Sequence, residues 1–349
     1  MSLPTAAYAA HNPTDPLVPW SLDRRDPKPN DVLIEILYCG VCHSDLHQAR
    51  DEWGGSNYPM VPGHEIVGTV QAVGEKVTKW QPGDTVGVGV FVDSCRHCPN
   101  CLAGDEQYCD EGMTGTYNAY ERDKVTPTYG GYSTQIVVDE NYIVSIPEEL
   151  DLKATAPLLC AGITTYSPLR HWKIGPGMKV AVVGLGGLGH MGVKFAKALG
   201  AEVTVISHSQ KKADDAKRLG AEDFIATNEP EFFKKNARRF DFILNTISAD
   251  HSYNDYLGMV ALNGTMCLVG LPNPQNVGAF PLVGRRRSLA GSMIGGIKET
   301  QQMLDFCAEH GIVSDVEVIP VSYINEAYER MLRSDVRYRF VIDCASLKN

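Results

Sequence analysis

The chain has 349 residues, 44% of them apolar and 21% charged, and a formal net charge of −10. That length is too great for one ordinary compact core, so two domains are the starting expectation. The acidic balance repels phosphate backbones and anionic membranes, which sets aside nucleic acid and membrane surfaces as partners.

No apolar run approaches the roughly 20 residues of a membrane span. The opening stretch "MSLPTAAYAAHNPTDPL" has no basic segment followed by an apolar one, so it does not read as a secretory signal. Ten cysteines in such a chain are expected as thiols or metal ligands in the cytoplasm, not as disulfides. Up to about residue 150 the apolar runs are short and β-rich, divided by Gly and Pro. Strands are expected over 31–39, 65–73, 84–92 and 132–138, and a short helix over "SDLHQAR" (44–50), capped by Ser44 or Asp45.

From about residue 178 strands and helices alternate. "KVAVVG", "EVTVIS", "DFIAT", "FDFILNTIS", "TMCLVG" and "LAGSMIG" give six short strands, the pattern of an α/β fold with a doubly wound parallel sheet. The tail, "ETQQMLDFCAEHG", "INEAYERMLR" and "YRFVID", is not needed by that sheet and is expected to return to the first domain.

"VAVVGLGGLGH" places Gly184, Gly186 and Gly189 in G-x-G-x-x-G spacing, with Leu185, Gly187 and Leu188 between them. The motif closes a strand and opens a helix, the context a dinucleotide pyrophosphate requires. About 20 residues on, NAD-binding proteins carry an acid for the ribose 2′-hydroxyl. Here "VISHSQKK" offers Ser207, Ser209, Lys211 and Lys212 and no acid at the strand end. Hydroxyls and ammonium groups bind a 2′-phosphate that a carboxylate would repel, so NADP(H) is the expected cofactor.

Cys95, Cys98, Cys101 and Cys109 follow C-x2-C-x2-C-x7-C spacing. Four thiolates suit a closed tetrahedral Zn²⁺ site of structural type. A disulfide pair and an iron–sulfur cluster are the competing readings, and His97 inside the loop is expected to face solvent. A second metal site with an open position is assembled from Cys42, His64 with its neighbour Glu65, and Cys160. Two thiolates and an imidazole balance Zn²⁺ and leave room for an alcohol or carbonyl oxygen.

Taken in order, "GVCHSDLH", "YPMVPGHEIVG", the four-cysteine lobe, "LLCAGITTYSPL", "VGLGGLGHMG", "GSMIGG" and "YRFVID" resemble the zinc-dependent medium-chain alcohol dehydrogenases. Within them the chain resembles the cinnamyl alcohol dehydrogenase group, including bacterial NADPH-dependent aldehyde reductases. The Cys₂His set is the standard alcohol dehydrogenase arrangement, so that assignment is taken from the family.

The resemblance implies a GroES-like β-rich catalytic domain of residues 1–159 and 299–349 and a Rossmann domain of residues 160–298. It implies two zinc ions per chain, with Cys42, His64 and Cys160 holding the catalytic one and Glu65 able to approach it. Asp45 matches a residue that orients His64, although a helix-capping role is equally open. Ser44 and His47 match a proton relay, and His43, pointing away from them, is assigned to cofactor phosphate. Thr164, Thr246, Gly270, Ser292, Met293 and Ile294 match nucleotide contacts. Trp53, Met60 and Ile294 match pocket-lining positions. Where the plant lignin enzymes carry further aromatic residues after the lobe, "MTGTYNAYERDKV" offers tyrosines and no tryptophan, which favours a broad-range reductase. A polyol or secondary-alcohol dehydrogenase and a non-enzymatic NADP-binding redox sensor are the alternatives. A homodimer is expected by family analogy.

Overall fold

The computed structural model describes residues 3–348. Its contacts divide the chain into two compact units: one runs to Ile163 and resumes at Gly295, the other is Thr164–Ile294. The sequence reading set these joints at 159/160 and 298/299.

The first unit opens with a hairpin that sequence reasoning did not anticipate. Strands β1 (Leu3–Ala9) and β2 (Val18–Arg24) pair antiparallel throughout. The buried guanidinium of Arg24 locks β2 in place, donating to the carbonyls of Tyr129, Gly130 and Gln135 and to Ser133 Oγ at 2.6–3.1 Å. Strand β3 (Asp31–Val41) is the longest, with apolar residues buried at most positions. Helix α1 (His43–Ala49) follows it directly. Its cap is Cys42, two residues before Ser44 and three before Asp45, the expected caps. Cys42 is extended, and the carboxylate of Asp45 accepts its N–H at 2.9 Å, the return half of a capping box.

Strands β4 (Ile66–Val73) and β5 (Thr85–Val88) continue the sheet. The run expected over 84–92 breaks after Val88, where a Cβ on Gly89 would meet the Leu159 carbonyl at 3.1 Å, and resumes as β6 (Phe91–Asp93). Helix α2 (Pro99–Ala103), capped by Cys98, lies inside the four-cysteine lobe, and strand β7 (Thr114–Gly115) follows it. Strands β8 (Gln135–Asp139) and β9 (Val144–Ser145) and helix α3 (Leu152–Thr155) precede helix α4 (Ala161–His171).

The second unit is a six-stranded, wholly parallel sheet. In chain order it contains β10 (Lys179–Val183), α5 (Gly189–Ala198), β11 (Glu202–Ser207), α6 (Ala213–Leu219), β12 (Asp223–Ala226) and α7 (Phe232–Lys235). Then come β13 (Phe240–Asn245), α8 (Tyr253–Met259), β14 (Val260–Leu268), α9 (Ala279–Val283) and β15 (Ser288–Gly291). The spatial order is β12-β11-β10-β13-β14-β15. Strand order therefore reverses between β10 and β13. In such sheets a ligand binds beyond the carboxyl ends of the strands at that switch. Val180, Ala181, Val182, Val183 and Leu244 are fully buried, as strands covered on both faces must be.

After Gly295 the chain returns to the first unit with α10 (Ile297–His310), β16 (Val316–Pro320), α11 (Ile324–Leu332) and β17 (Arg339–Asp343). β17 pairs antiparallel with β3 and parallel with β16. Because β3 is long, one edge carries two partners end to end: β8 opposite residues 31–35 and β17 opposite 38–41. That register sets the first residue of β17, Arg339, at the end of β3 that leads into Cys42. No helix among the described residues is long and apolar enough to cross a membrane.

Candidate metal and dinucleotide sites

Three turns of the first unit converge on one point. Cys42 caps α1, His64 and Glu65 end the turn before β4, and Cys160 closes the turn before α4. Their ligand-capable atoms all lie within 4.8 Å of one another. Sequence reasoning grouped these four residues, and the fold brings them together. Cys42 is held well below the ordinary thiol range, first by a hydrogen bond with Cys160 and then, against burial, by His64 and Arg339. The same contact, with burial, pushes Cys160 upward. A divalent cation would take both sulfurs as thiolates, so its binding would release protons.

Asp45 organises the surroundings. Its carboxylate is fully buried and accepts from four donors: the Cys42 N–H (2.9 Å), the Gly63 N–H (3.0 Å), His64 Nδ1 (3.0 Å) and the Tyr132 hydroxyl (3.2 Å). Both readings left open in the sequence are realised at once. Asp45 caps α1, and it fixes the His64 tautomer so that Nε2 is the metal-facing nitrogen. Burial opposes a charged His64, yet the neighbouring Asp45 outweighs it and raises the imidazole well above its usual range.

Glu65 is also fully buried. One oxygen accepts from Arg339 Nη2, which is 2.5 Å away and also donates to the Val41 carbonyl at 2.8 Å. The other, Oε2, has no hydrogen-bond partner among the described residues. Burial pushes the Glu65 carboxyl up to about 8, with Arg339 pulling the other way. A Cβ on Gly40 would fall 1.9 Å from Oε2, so glycine is required there. An unpartnered carboxylate oxygen beside two thiols and an imidazole fits a zinc ion.

On α1, Ser44 Oγ lies 3.7 Å from Cys42 Sγ, and His47 Nδ1 is 2.5 Å from Glu52 Oε2. His43 does not point away from His47: their ring centroids are 6.1 Å apart, because residues at i and i+4 share a helix side. Burial lowers the His43 imidazole below its usual range. Trp53 stands beside His47 at 5.1 Å and is 46% exposed, whereas Met60 is fully buried with its backbone paired to Ala10.

In the second unit the glycine loop lies at the sheet's switch point, between β10 and α5. Gly184 has φ +92°, which side chains resist, and a Cβ on Gly189 would meet the Gly184 carbonyl at 2.0 Å. A Cβ on Gly186 would meet nothing within 4 Å. The loop is thus built tightly at its ends and open in its middle, and α5 starts directly behind it, so the positive end of the helix dipole faces the place a pyrophosphate would take. Lys212 Nζ donates to the Leu185 carbonyl at 2.8 Å, bringing its ammonium group to the loop. Ser207 ends β11, and Ser209 Oγ accepts from the Lys211 N–H at 3.3 Å. Thr246 Oγ1 donates to the Val183 carbonyl at 2.8 Å, and Gly270 packs on the Ile247 carbonyl, so both hold strand ends. Thr164 is buried, Ser292 donates its N–H to the Leu268 carbonyl, Met293 is exposed, and Ile294 is buried at φ +41°, a strained value for a β-branched residue.

The four-cysteine lobe is a cage of sulfurs fed by backbone donors. The N–H groups of Cys95, Cys98 and Cys101 point at Cys109, Cys95 and Cys98 Sγ respectively, at 3.3–3.4 Å. All ten cysteines of the chain are unbridged. The Cys98 thiol is lowered to about 6 by the N–H groups of Asp110 and Cys101. His97 is exposed and paired to Glu111, outside the cage. Thiolates that close, three of them buried, fit a closed zinc site.

Sequence reasoning missed Arg339, Glu52 and Tyr132, and noted Tyr117 only among the tyrosines after the lobe, with no part at His64. An arginine opening the apolar strand "YRFVID" was the only signal for the first, and nothing local marked Glu52 or Tyr132.

Comparison with known proteins shows the family. Residues 28–148 match the model of the alcohol dehydrogenase GroES-like domain, and residues 187–309 that of the zinc-binding dehydrogenases. The chain is 61% identical over 99% of its length, and 99% of the relative's, to NADP-dependent alcohol dehydrogenase C 1 of Mycolicibacterium smegmatis. It is 57% identical to aldehyde reductase YahK of Escherichia coli, over 98% of each chain. A cinnamyl alcohol dehydrogenase of Sorghum bicolor superposes with a TM-score of 0.96, at 45% identity and 98% coverage of both chains.

Proposed function

Because this chain belongs to the zinc-binding alcohol dehydrogenase family, we propose that it is an NADP(H)-dependent alcohol dehydrogenase and aldehyde reductase. It interconverts aromatic or aliphatic aldehydes and their alcohols over a broad range. The observation that carries this reading is the gathering of Cys42, His64 and Cys160, with Glu65 at its edge, in front of Asp45. It is supported by relatives named for NADP dependence and aldehyde reduction.

Cys42, His64 and Cys160 would hold the catalytic zinc, and Cys95, Cys98, Cys101 and Cys109 the structural one. Gly184–Gly189, Ser207, Ser209 and Lys212 would hold the dinucleotide. When bound, Zn²⁺ supplies Lewis acidity toward an alcohol or carbonyl oxygen, and the nicotinamide donates or accepts hydride.

The chain's own residues manage position and proton. Asp45 keeps His64 in one tautomer. Ser44 places a hydroxyl beside Cys42, where it can hold or pass a proton. His47 has its Nδ1 occupied by Glu52, which leaves Nε2 able to accept a proton. Glu52 is 43% exposed, so this chain of groups ends at solvent.

Two coarser matters follow the same reading. A homodimer is supported by the outer edge of β15, which has no strand partner among the described residues, and by the exposed Leu262, Leu271, Phe280 and Val283. A reducing, cytoplasmic setting is supported by ten unbridged cysteines.

The test is initial-rate oxidation of NADPH and NADH with benzaldehyde, cinnamaldehyde and a short aliphatic aldehyde, with a polyol plus NADP⁺ as comparison. NADPH should be preferred throughout. Ser209→Asp should raise the KM for NADPH by about 10- to 100-fold, as expected for replacing a charge-assisted contact by repulsion. Equal use of NADH overturns the cofactor assignment. Turnover of the polyol alone overturns the substrate class, and no turnover at all favours the redox sensor.

A further inference from the structure

Tyr117 lies against the imidazole of His64, with ring centroids 5.8 Å apart and planes 24° from parallel. It is 6% exposed, and its hydroxyl is buried without a hydrogen-bond partner among the described residues. Asp45 is near enough to act on this hydroxyl, and the contact with His64 is made by the ring.

The turn that carries this ring is tied down on both sides. Before it, Thr116 donates its N–H to the Val90 carbonyl (3.0 Å) and its hydroxyl to the Gly89 carbonyl (2.5 Å). After it, Asn118 adopts φ +54°, a left-handed conformation that asparagine tolerates better than most residues. Its side-chain oxygen accepts from the N–H of Asn57 at 2.8 Å, and its Nδ2 donates to Gln48 Oε1 at 2.8 Å. Gln48 belongs to α1, the helix capped by Cys42. One short turn thus touches the imidazole of His64 directly and the helix of Cys42 through an amide pair.

We propose that the Tyr117–Asn118 turn is a positioning clamp for the catalytic metal. Asp45 fixes Nδ1 of His64, but a single hydrogen bond leaves the ring plane free to tilt. The stacked face of Tyr117 restrains that tilt, and Asn118 keeps α1, and with it Cys42, in register with the same ring. The proposal rests on Cys42, His64 and Cys160 being zinc ligands. Tyr117 acts through His64 and is a positioning residue.

The test compares zinc release from purified holoenzyme, Tyr117→Phe and Tyr117→Leu into excess chelator. The four-cysteine zinc serves as an internal control. Tyr117→Leu should speed the release of one zinc per chain by about 10- to 100-fold, the usual effect of removing a group that supports a ligand, while the other leaves at the wild-type rate. Tyr117→Phe keeps the ring and should release both at wild-type rates. After cobalt substitution at the catalytic site, the visible spectrum should change in the Leu variant and not in the Phe variant. Asn118→Ala should hasten the same single phase. Faster release of both metals from Tyr117→Leu, or of neither, overturns the clamp, and equal behaviour of the Phe and Leu variants overturns the stack as its agent. A wild-type chain holding one zinc instead overturns the ligand reading beneath it.

Discussion

Arg339 crosses 274 residues of sequence to set its guanidinium on one carboxylate oxygen of Glu65, and both side chains are buried. Burial drives the Glu65 carboxyl toward its neutral form, and Arg339 pulls it back toward the charged one. Arg339→Met should therefore destabilise the protein by about 1–3 kcal/mol, since it removes the donor to a buried carboxyl oxygen. Adding Glu65→Gln to that variant should recover part of the loss, with a coupling of about 1–3 kcal/mol. Urea denaturation of the holoenzyme and the three variants measures the cycle. A strictly additive pair would mean that the contact contributes nothing.

His47 and Glu52 make a comparable pair at the edge of the site, one that stability should not register. The Glu52 carboxylate is partly exposed, so its contact with His47 adds little to folding. Its effect lies in fixing which imidazole nitrogen is free. Glu52→Leu should lower kcat by about 10-fold or more while the KM for NADPH and the melting temperature stay close to wild type. Unchanged kcat would remove Glu52 from the proton path and leave His47 to act alone.

Much of this architecture is legible in the sequence because its signals are local. β10 to β15 are short, largely apolar runs closed by turns, and the glycine loop follows the first of them. The sulfur cage is spaced within 15 consecutive residues, Cys95 to Cys109. What escaped notice depends on partners far along the chain, or on residue types outside the usual preferences. β1 reads "LPTAAYA", too poor in β-branched residues to announce a strand, and only its pairing with β2 makes it one. Cysteine is not a favoured helix cap, so α1 begins earlier than its polar residues suggest. Arg339 and Tyr117 find their partners only once β17 lies on β3 and the turn after β7 folds against His64. Met60 shows the converse, because an apolar residue near a site motif can be simple core.

The glycine loop yields the sharpest contrast, since two of its glycines are required for different reasons. Gly189 has no room: a Cβ there would overlap the Gly184 carbonyl, which belongs to a rigid backbone turn. Gly189→Ala should thus force the loop from the helix and lower the melting temperature, with an unfolding cost of about 1–3 kcal/mol, as for other overpacked sites. Gly186 has space around it and no positive φ, so alanine should fit without strain. Restricting the unfolded chain should then leave Gly186→Ala as stable as wild type, or more stable by about 0.4–1 kcal/mol. Its loss should appear in cofactor binding, because the added methyl occupies the approach of the pyrophosphate. Thermal unfolding without cofactor and NADPH titration by fluorescence separate the two effects. If Gly186→Ala bound NADPH as tightly as wild type, the open middle of the loop would not be where the pyrophosphate sits.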